Sequence, residues 1–232
     1  MTRGGGHFDG IVASYAHSMQ DLATIYEQAA RVLAPIVRDR IVLDVGAGGT
    51  FAYDESLPEK LIALDVSANM LAQIDNPRVE IVVDDATTMR SIPDASVDVV
   101  MFCLVLHHIN EPTRAGTLRG LANTLATAVN KLRPGGHVAI LEVLAPGWLY
   151  CIEAPLFAIT KRLLRWRGRD MIFMYTASQI TEQLTSLLEG AVETYRLKLP
   201  EFYDPLAGSF PGKIRIPGAL SPTPFKLFVA RK

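Results

Sequence analysis

The chain has 232 residues, 49% of them hydrophobic, and a formal net charge of −1. That length supports one sizeable core in a single embellished domain, and so small a charge gives no footing for general nucleic-acid binding. Two cysteines, Cys103 and Cys151, make neither a disulfide framework nor a metal cluster. No apolar segment follows Met1 as in a secretory signal, and none nears the roughly 18 apolar residues of a membrane span, so the expected location is the cytoplasm.

The elements alternate between strand and helix. Leu22, Ile25, Tyr26, Ala29, Val32 and Leu33 recur at helical spacing, with Pro35 just beyond. Strands follow at Arg40 to Val45, Lys60 to Asp65, Val79 to Asp84 and Asp98 to about Leu106. A helix then carries Leu118, Leu121, Leu125, Val129 and Leu132 on one face and stops at Arg133-Pro134-Gly135-Gly136. The fifth strand is His137 to Val143. Thr176 and Gln179 form a capping box for a helix with Ile180, Leu184, Leu187 and Leu188, which Gly190 ends. Ala191 to Leu197 and Phe225 to Arg231 alternate as strands with no helix between them, so they pair antiparallel. The stretch separating them holds Pro200, Pro205, Pro211, Pro217 and Pro222, a loop long enough to suggest a function. The class is α/β: a doubly wound, mostly parallel seven-stranded sheet with helices on both faces and a C-terminal antiparallel hairpin. We divide it into a helical lid at 1–38, a core at 39–145, an inserted cap at 146–176, and a C-terminal helix and hairpin at 177–232.

The most informative segment is Val42-Leu43-Asp44-Val45-Gly46-Ala47-Gly48-Gly49-Thr50. A buried strand breaks there into glycines that let a ligand approach bare backbone, and such amides usually face an anion. Asp44 would repel a pyrophosphate and attract an ammonium group. The loop therefore suits a ligand with a carboxylate and an amine, and S-adenosylmethionine (SAM) is the leading candidate. Phe51 occupies the third glycine position of a dinucleotide fingerprint, which argues against NAD.

Five segments in order resemble the class I SAM-dependent methyltransferases of small molecules. They are Leu43 to Gly48, Leu64-Asp65-Val66-Ser67, Asp84-Asp85-Ala86, Ile92-Pro93-Asp94-Ala95-Ser96-Val97-Asp98 and Leu132 to Gly136. The resemblance covers roughly residues 10 to 145 and the terminal hairpin. It implies SAM as cofactor, S-adenosylhomocysteine as product and no metal. Asp65 would accept both ribose hydroxyls, beside Val66. Asp85 would take the adenine amine and the Ala86 amide a ring nitrogen, with Asp84 the alternative ligand. Met70 would cover the adenine or serve the core. Ser67 would bond the ribose edge or cap a helix. Asp44, Gly46, Ala47, Gly48 and Leu104 would line the methionyl end, and Tyr15 would close over it from the lid. Only ten residues separate the loop from the second strand, so the helix there is cut to a turn or two.

Catalysis is expected at the carboxyl end of the fourth strand, in Leu104 to Ile109. A hydroxyl nucleophile needs a base, and an imidazole suits the task. His107 is preferred and His108 is second; the alternative is that they only shape the loop. Glu142 faces the same cleft or forms a salt-bridged rim. The lack of an Asn/Asp-Pro-Pro-aromatic signature and of an acidic metal cluster leaves a small organic acceptor, with O-methylation ahead of C- or N-methylation. Trp148 and Tyr175 bound the cap that would hold it. Residues 148–169 join apolar side chains to Lys161, Arg162, Arg165, Arg167 and Arg169, which fits an anionic membrane or a lipid-linked acceptor or a plain cap with a solvated edge. Readings from other classes are an NAD(P)-dependent oxidoreductase and a non-methylating SAM-binding scaffold or cyclase.

Overall fold

The computed structural model describes residues 12–166, 172–203 and 215–232. Seven strands form one sheet in the order β3-β2-β1-β4-β5-β9-β6. They are β1 (Ile41–Val45), β2 (Lys60–Asp65), β3 (Val79–Val83), β4 (Val97–Cys103), β5 (Leu132–Val143), β6 (Glu193–Leu197) and β9 (Phe225–Arg231). The first five pair in parallel and β9 runs antiparallel between β5 and β6. The helices are α1 (Val12–Val37), α2 (Ala68–Leu71), α3 (Arg114–Lys131), α4 (Gly147–Trp166) and α5 (Ala177–Leu187). β7 (Phe202–Tyr203) and β8 (Ile216–Pro217) make a separate two-stranded sheet at the roots of the proline-rich loop, while Pro205 and Pro211 lie outside the described residues.

Central strands are buried on both faces, which explains their continuous apolar runs. Leu43, Val45, Val100, Phe102, Ile140 and Phe228 pack with Leu121 and Leu125 of α3 and with Ile180 and Leu184 of α5. Val42, Val99, Met101, Ala139 and Leu227 pack on the other face with Ile25, Ala29 and Leu33 of α1. Each large side chain so buried contributes about 1.5–3 kcal/mol against solvent exposure. The capping box of α5 is complete: Thr176 accepts from the Gln179 amide and Gln179 accepts from the Thr176 amide.

Three local expectations are corrected. Pro35 lies inside α1, in its last turn, where it forgoes one backbone donor and only two residues of helix follow it. Arg133-Pro134-Gly135-Gly136 belongs to β5, because Gly135 N donates to Lys232 O and Lys232 N donates to Gly136 O, which extends the strand along the chain end. No helix at all follows the glycine loop; residues 46–59 run in turns, with Ala52 and Tyr53 drawn into the core. A helix dipole therefore contributes nothing at that position.

The carboxyl ends of β1 and β4 touch through Gly46, at φ +71°. A Cβ there would sit 2.2 Å from Cγ2 of Val105. Gly46→Ala is expected to combine backbone strain with overpacking, costing about 2–4 kcal/mol. Thermal unfolding should then show a midpoint lower by roughly 4–16 °C.

Candidate active site

Asp44 ends β1 with its side chain completely buried. Its Oδ2 accepts from the Tyr53 hydroxyl at 2.9 Å, and its Oδ1 has no partner. Burial pushes its carboxyl up to about 7; the Tyr53 hydrogen bond opposes this and the charge of Asp65 adds to it. Burial and the adjoining carboxylate also push the Tyr53 hydroxyl well above its ordinary range. A buried, half-satisfied carboxylate of this kind is poised to receive a cation.

The glycine loop is built differently from expectation. The amides of Gly46 and Ala47 both donate to Leu64 O, and that of Gly48 donates to Asp65 Oδ2 at 3.2 Å. These donors are engaged within the protein, so the loop presents a shaped surface instead of a row of vacant amides. Asp65 also accepts from Ser67 N at 2.8 Å, and burial raises its carboxyl despite these bonds. Val66 follows it, half-buried.

Asp84 and Asp85 are separated by their surroundings. Asp84 accepts from Asp85 N and Ser91 N through its two oxygens, and its carboxyl is lowered although desolvation, the largest influence, acts the other way. Asp85 uses Oδ1 on the amide and hydroxyl of Thr87. Ala86 is half-buried beside it. Ser67 caps α2 by accepting from Met70 N, and Met70 is buried. The Tyr15 backbone lies in α1; its side chain is outside the described residues, as is the stretch from His7 to Phe8.

Beyond β4 the chain passes through Leu104 at φ +53°, a conformation that non-glycine residues rarely adopt, and enters a 3-10 turn at Leu106–His108. His107 is buried, and its Nδ1 lies 2.6 Å from Glu142 Oε1. Glu142 also accepts from His107 N at 3.3 Å and Val143 N at 2.9 Å. It is fully buried and paired with the His107 ring. In the neutral tautomer whose Nδ1 donates to the carboxylate, the lone pair is on Nε2. The His108 ring lies 4.2 Å from that of His107.

Tyr175 is buried and donates from its hydroxyl to Ile109 O; burial pushes that hydroxyl upward. Its ring packs edge-on to Phe173, which also meets Tyr150 and Phe157 of α4. Phe173 N donates to His107 O. Trp148 does not join this cluster: it points outward, 61% exposed. The sequence did not single out Tyr53 or Phe173, and it read Lys161 as part of a basic run, whereas its ammonium donates to Asn110 Oδ1 and Glu111 O. Tyr53 carried a signal, as an aromatic hydroxyl soon after an acid-and-glycine loop.

The raised carboxyl of Asp44 predicts a pH effect on the ligand-free protein. Its folded-state value near 7 exceeds the ordinary value of 3.8, so the stabilisation is complete below about 4 and is lost as pH rises through 7. The loss is on the order of 4 kcal/mol. Asp44→Asn should flatten that part of the profile of unfolding midpoint against pH.

Residues 43–140 match the family model described as a methyltransferase domain. No curated protein matches the sequence. Among solved structures, a Thermotoga maritima SAM-dependent methyltransferase, described as a possible histamine N-methyltransferase, shares 12% identity, covers 98% of this chain and 99% of its own, and has a TM-score of 0.64. A Mesorhizobium loti SAM-dependent methyltransferase shares 19% over 88% of this chain and 96% of its own, with a TM-score of 0.59. A Methanosarcina mazei SAM-dependent methyltransferase shares 13% over 87% and 96%, at 0.56. Domain match and strand order agree: residues 43–140 match the methyltransferase domain, and the chain has the fold of these SAM-dependent methyltransferases.

Proposed function

We propose that the protein methylates the hydroxyl of a small apolar or lipid-like acceptor, with His107 as the base. The observation that carries this is the His107–Glu142 pair: 2.6 Å apart, buried, and set at the carboxyl end of β4. A hydroxyl gains most from such a base, because its oxygen is a weak nucleophile until the proton is withdrawn. Bound SAM supplies a sulfonium-activated methyl group.

The residues present fit that cofactor. Asp44, with a buried oxygen lacking a partner, would hold the methionyl ammonium through Gly46, Ala47 and Gly48, near Leu104. Asp65 and Val66 would hold the ribose. Asp85 is favoured over Asp84 for the adenine amine, because Asp84 has committed both oxygens to backbone amides; Ala86 and Met70 would flank the ring. His107 Nε2 would take the acceptor proton. Glu142 would fix the tautomer and stabilise the resulting imidazolium, and His108 would shape the turn. Tyr175 and the Phe173 cluster supply apolar surroundings for the acceptor, with 146–176 as its cap.

Isothermal titration should show both SAM and S-adenosylhomocysteine binding, weakened about a hundredfold or more by Asp65→Ala; undetectable binding of either by the unaltered protein would sink the reading. Transfer of labelled methyl from SAM into organic-extractable acceptors should fall by about 10²–10⁴ in His107→Ala while cofactor affinity stays unchanged. Equal transfer by that variant would remove His107 from the chemistry.

A further inference from the structure

Among the described residues, five of the most exposed large apolar side chains lie on one helix. They are Trp148, Ile152, Leu156, Ile159 and Trp166 of α4, with Ile159 68% and Trp166 81% exposed. At about 100° per residue they fall within an arc of about 80° and run for about 27 Å along the axis. Phe157 and Tyr150 occupy the opposite side and pack on Phe173. The helix therefore has two apolar sides, and the domain covers only one of them.

Bases are concentrated in this part of the sequence. From 147 to 169 it holds five bases and a single acid, Glu153, in a chain whose net charge is −1; of these, Lys161 is turned inward onto Asn110 and Glu111. Arg162 is exposed next to the stripe. Near the start of α4, Arg196 and Lys226 face each other across β6 and β9 and line a pocket of about 380 Å³ that includes Pro146. Neither enters a described ion pair. Cations thus flank both ends of an apolar stripe that begins and ends in tryptophan, a side chain suited to the boundary between headgroups and acyl chains.

We propose that α4 docks on the surface of an anionic bilayer, with its stripe in the interfacial region and Arg162, Arg196 and Lys226 among the headgroups. Among the described residues no helix is long and apolar enough to cross a membrane, and α4 carries Pro155 in its interior, so it would lie in the plane. A second copy of the chain is a poor occupant, because isologous pairing on this face would bring two base-rich segments together. Docking would hold the inner side of α4, and through Phe173 the His107 turn, about one helix diameter from the lipid. The docking stands without the acceptor assignment; the access it gives to a lipid-like acceptor rests on that reading.

The chain's two tryptophans both lie on the stripe, so intrinsic fluorescence reports on this surface alone. The full chain should co-sediment with vesicles containing about one third phosphatidylglycerol, with a blue-shifted emission. It should bind phosphatidylcholine vesicles about tenfold or more weakly, and lose the anionic binding as salt rises. Ile152→Glu with Ile159→Glu, at two exposed positions, should abolish co-sedimentation while the far-UV circular dichroism and S-adenosylhomocysteine titration stay unchanged. Failure to bind either vesicle overturns the proposal, as does equal binding by the double variant. A concentration-dependent dimer, lost in that variant and unaffected by vesicles, would also overturn it and assign the stripe to self-association. Vesicle binding by a protein that fails to bind S-adenosylhomocysteine would support the docking while removing the functional reading.

Discussion

One buried carboxylate organises the His107 side of this molecule. Glu142 accepts from the backbone and ring of His107 and from the amide of Val143, so the end of β5 is tied to the turn beyond β4. That turn in turn receives Phe173 N at His107 O and the Tyr175 hydroxyl at Ile109 O, which anchors the segment between α4 and α5. An ion of this kind is tolerable in a protein interior only with its acceptor sites filled, and three donors do that here. Removing one partner would leave the others costly to bury.

The second buried carboxylate has the opposite character. Asp44 has one satisfied oxygen and one that is not, and burial holds its proton on to about pH 7. The two acids thus divide the work by environment. Glu142 is satisfied by the fold itself, whereas Asp44 is left with one oxygen that the fold does not satisfy. Local stability is given up at β1 where a ligand can restore it, a common arrangement at functional sites.

Much of this was legible in the residues. Continuous apolar runs revealed the parallel strands, the Thr176–Gln179 spacing revealed α5, and acids after strand ends outlined the cofactor side. What escaped depended on contacts distant in sequence. Pairing of Gly135 and Gly136 with Lys232 turned an expected stop into strand, and the Leu64 carbonyl took loop amides that local chemistry offered to a ligand. Glu142 showed two readings in sequence, cleft wall or salt-bridged rim, and only packing could place it beneath His107. The outward direction of Trp148 was equally hidden, since helical periodicity identifies stripes without saying which one faces the core.

The contact between Gly46 and Val105 joins these two halves. Val105 stands where a side chain on Gly46 would have to go, one residue before the turn that carries His107. The glycine loop and the His107 turn are therefore registered to each other by hard-sphere contact across neighbouring strands. Their separation is set when the chain folds, so a ligand spanning the two would spend no free energy to establish it.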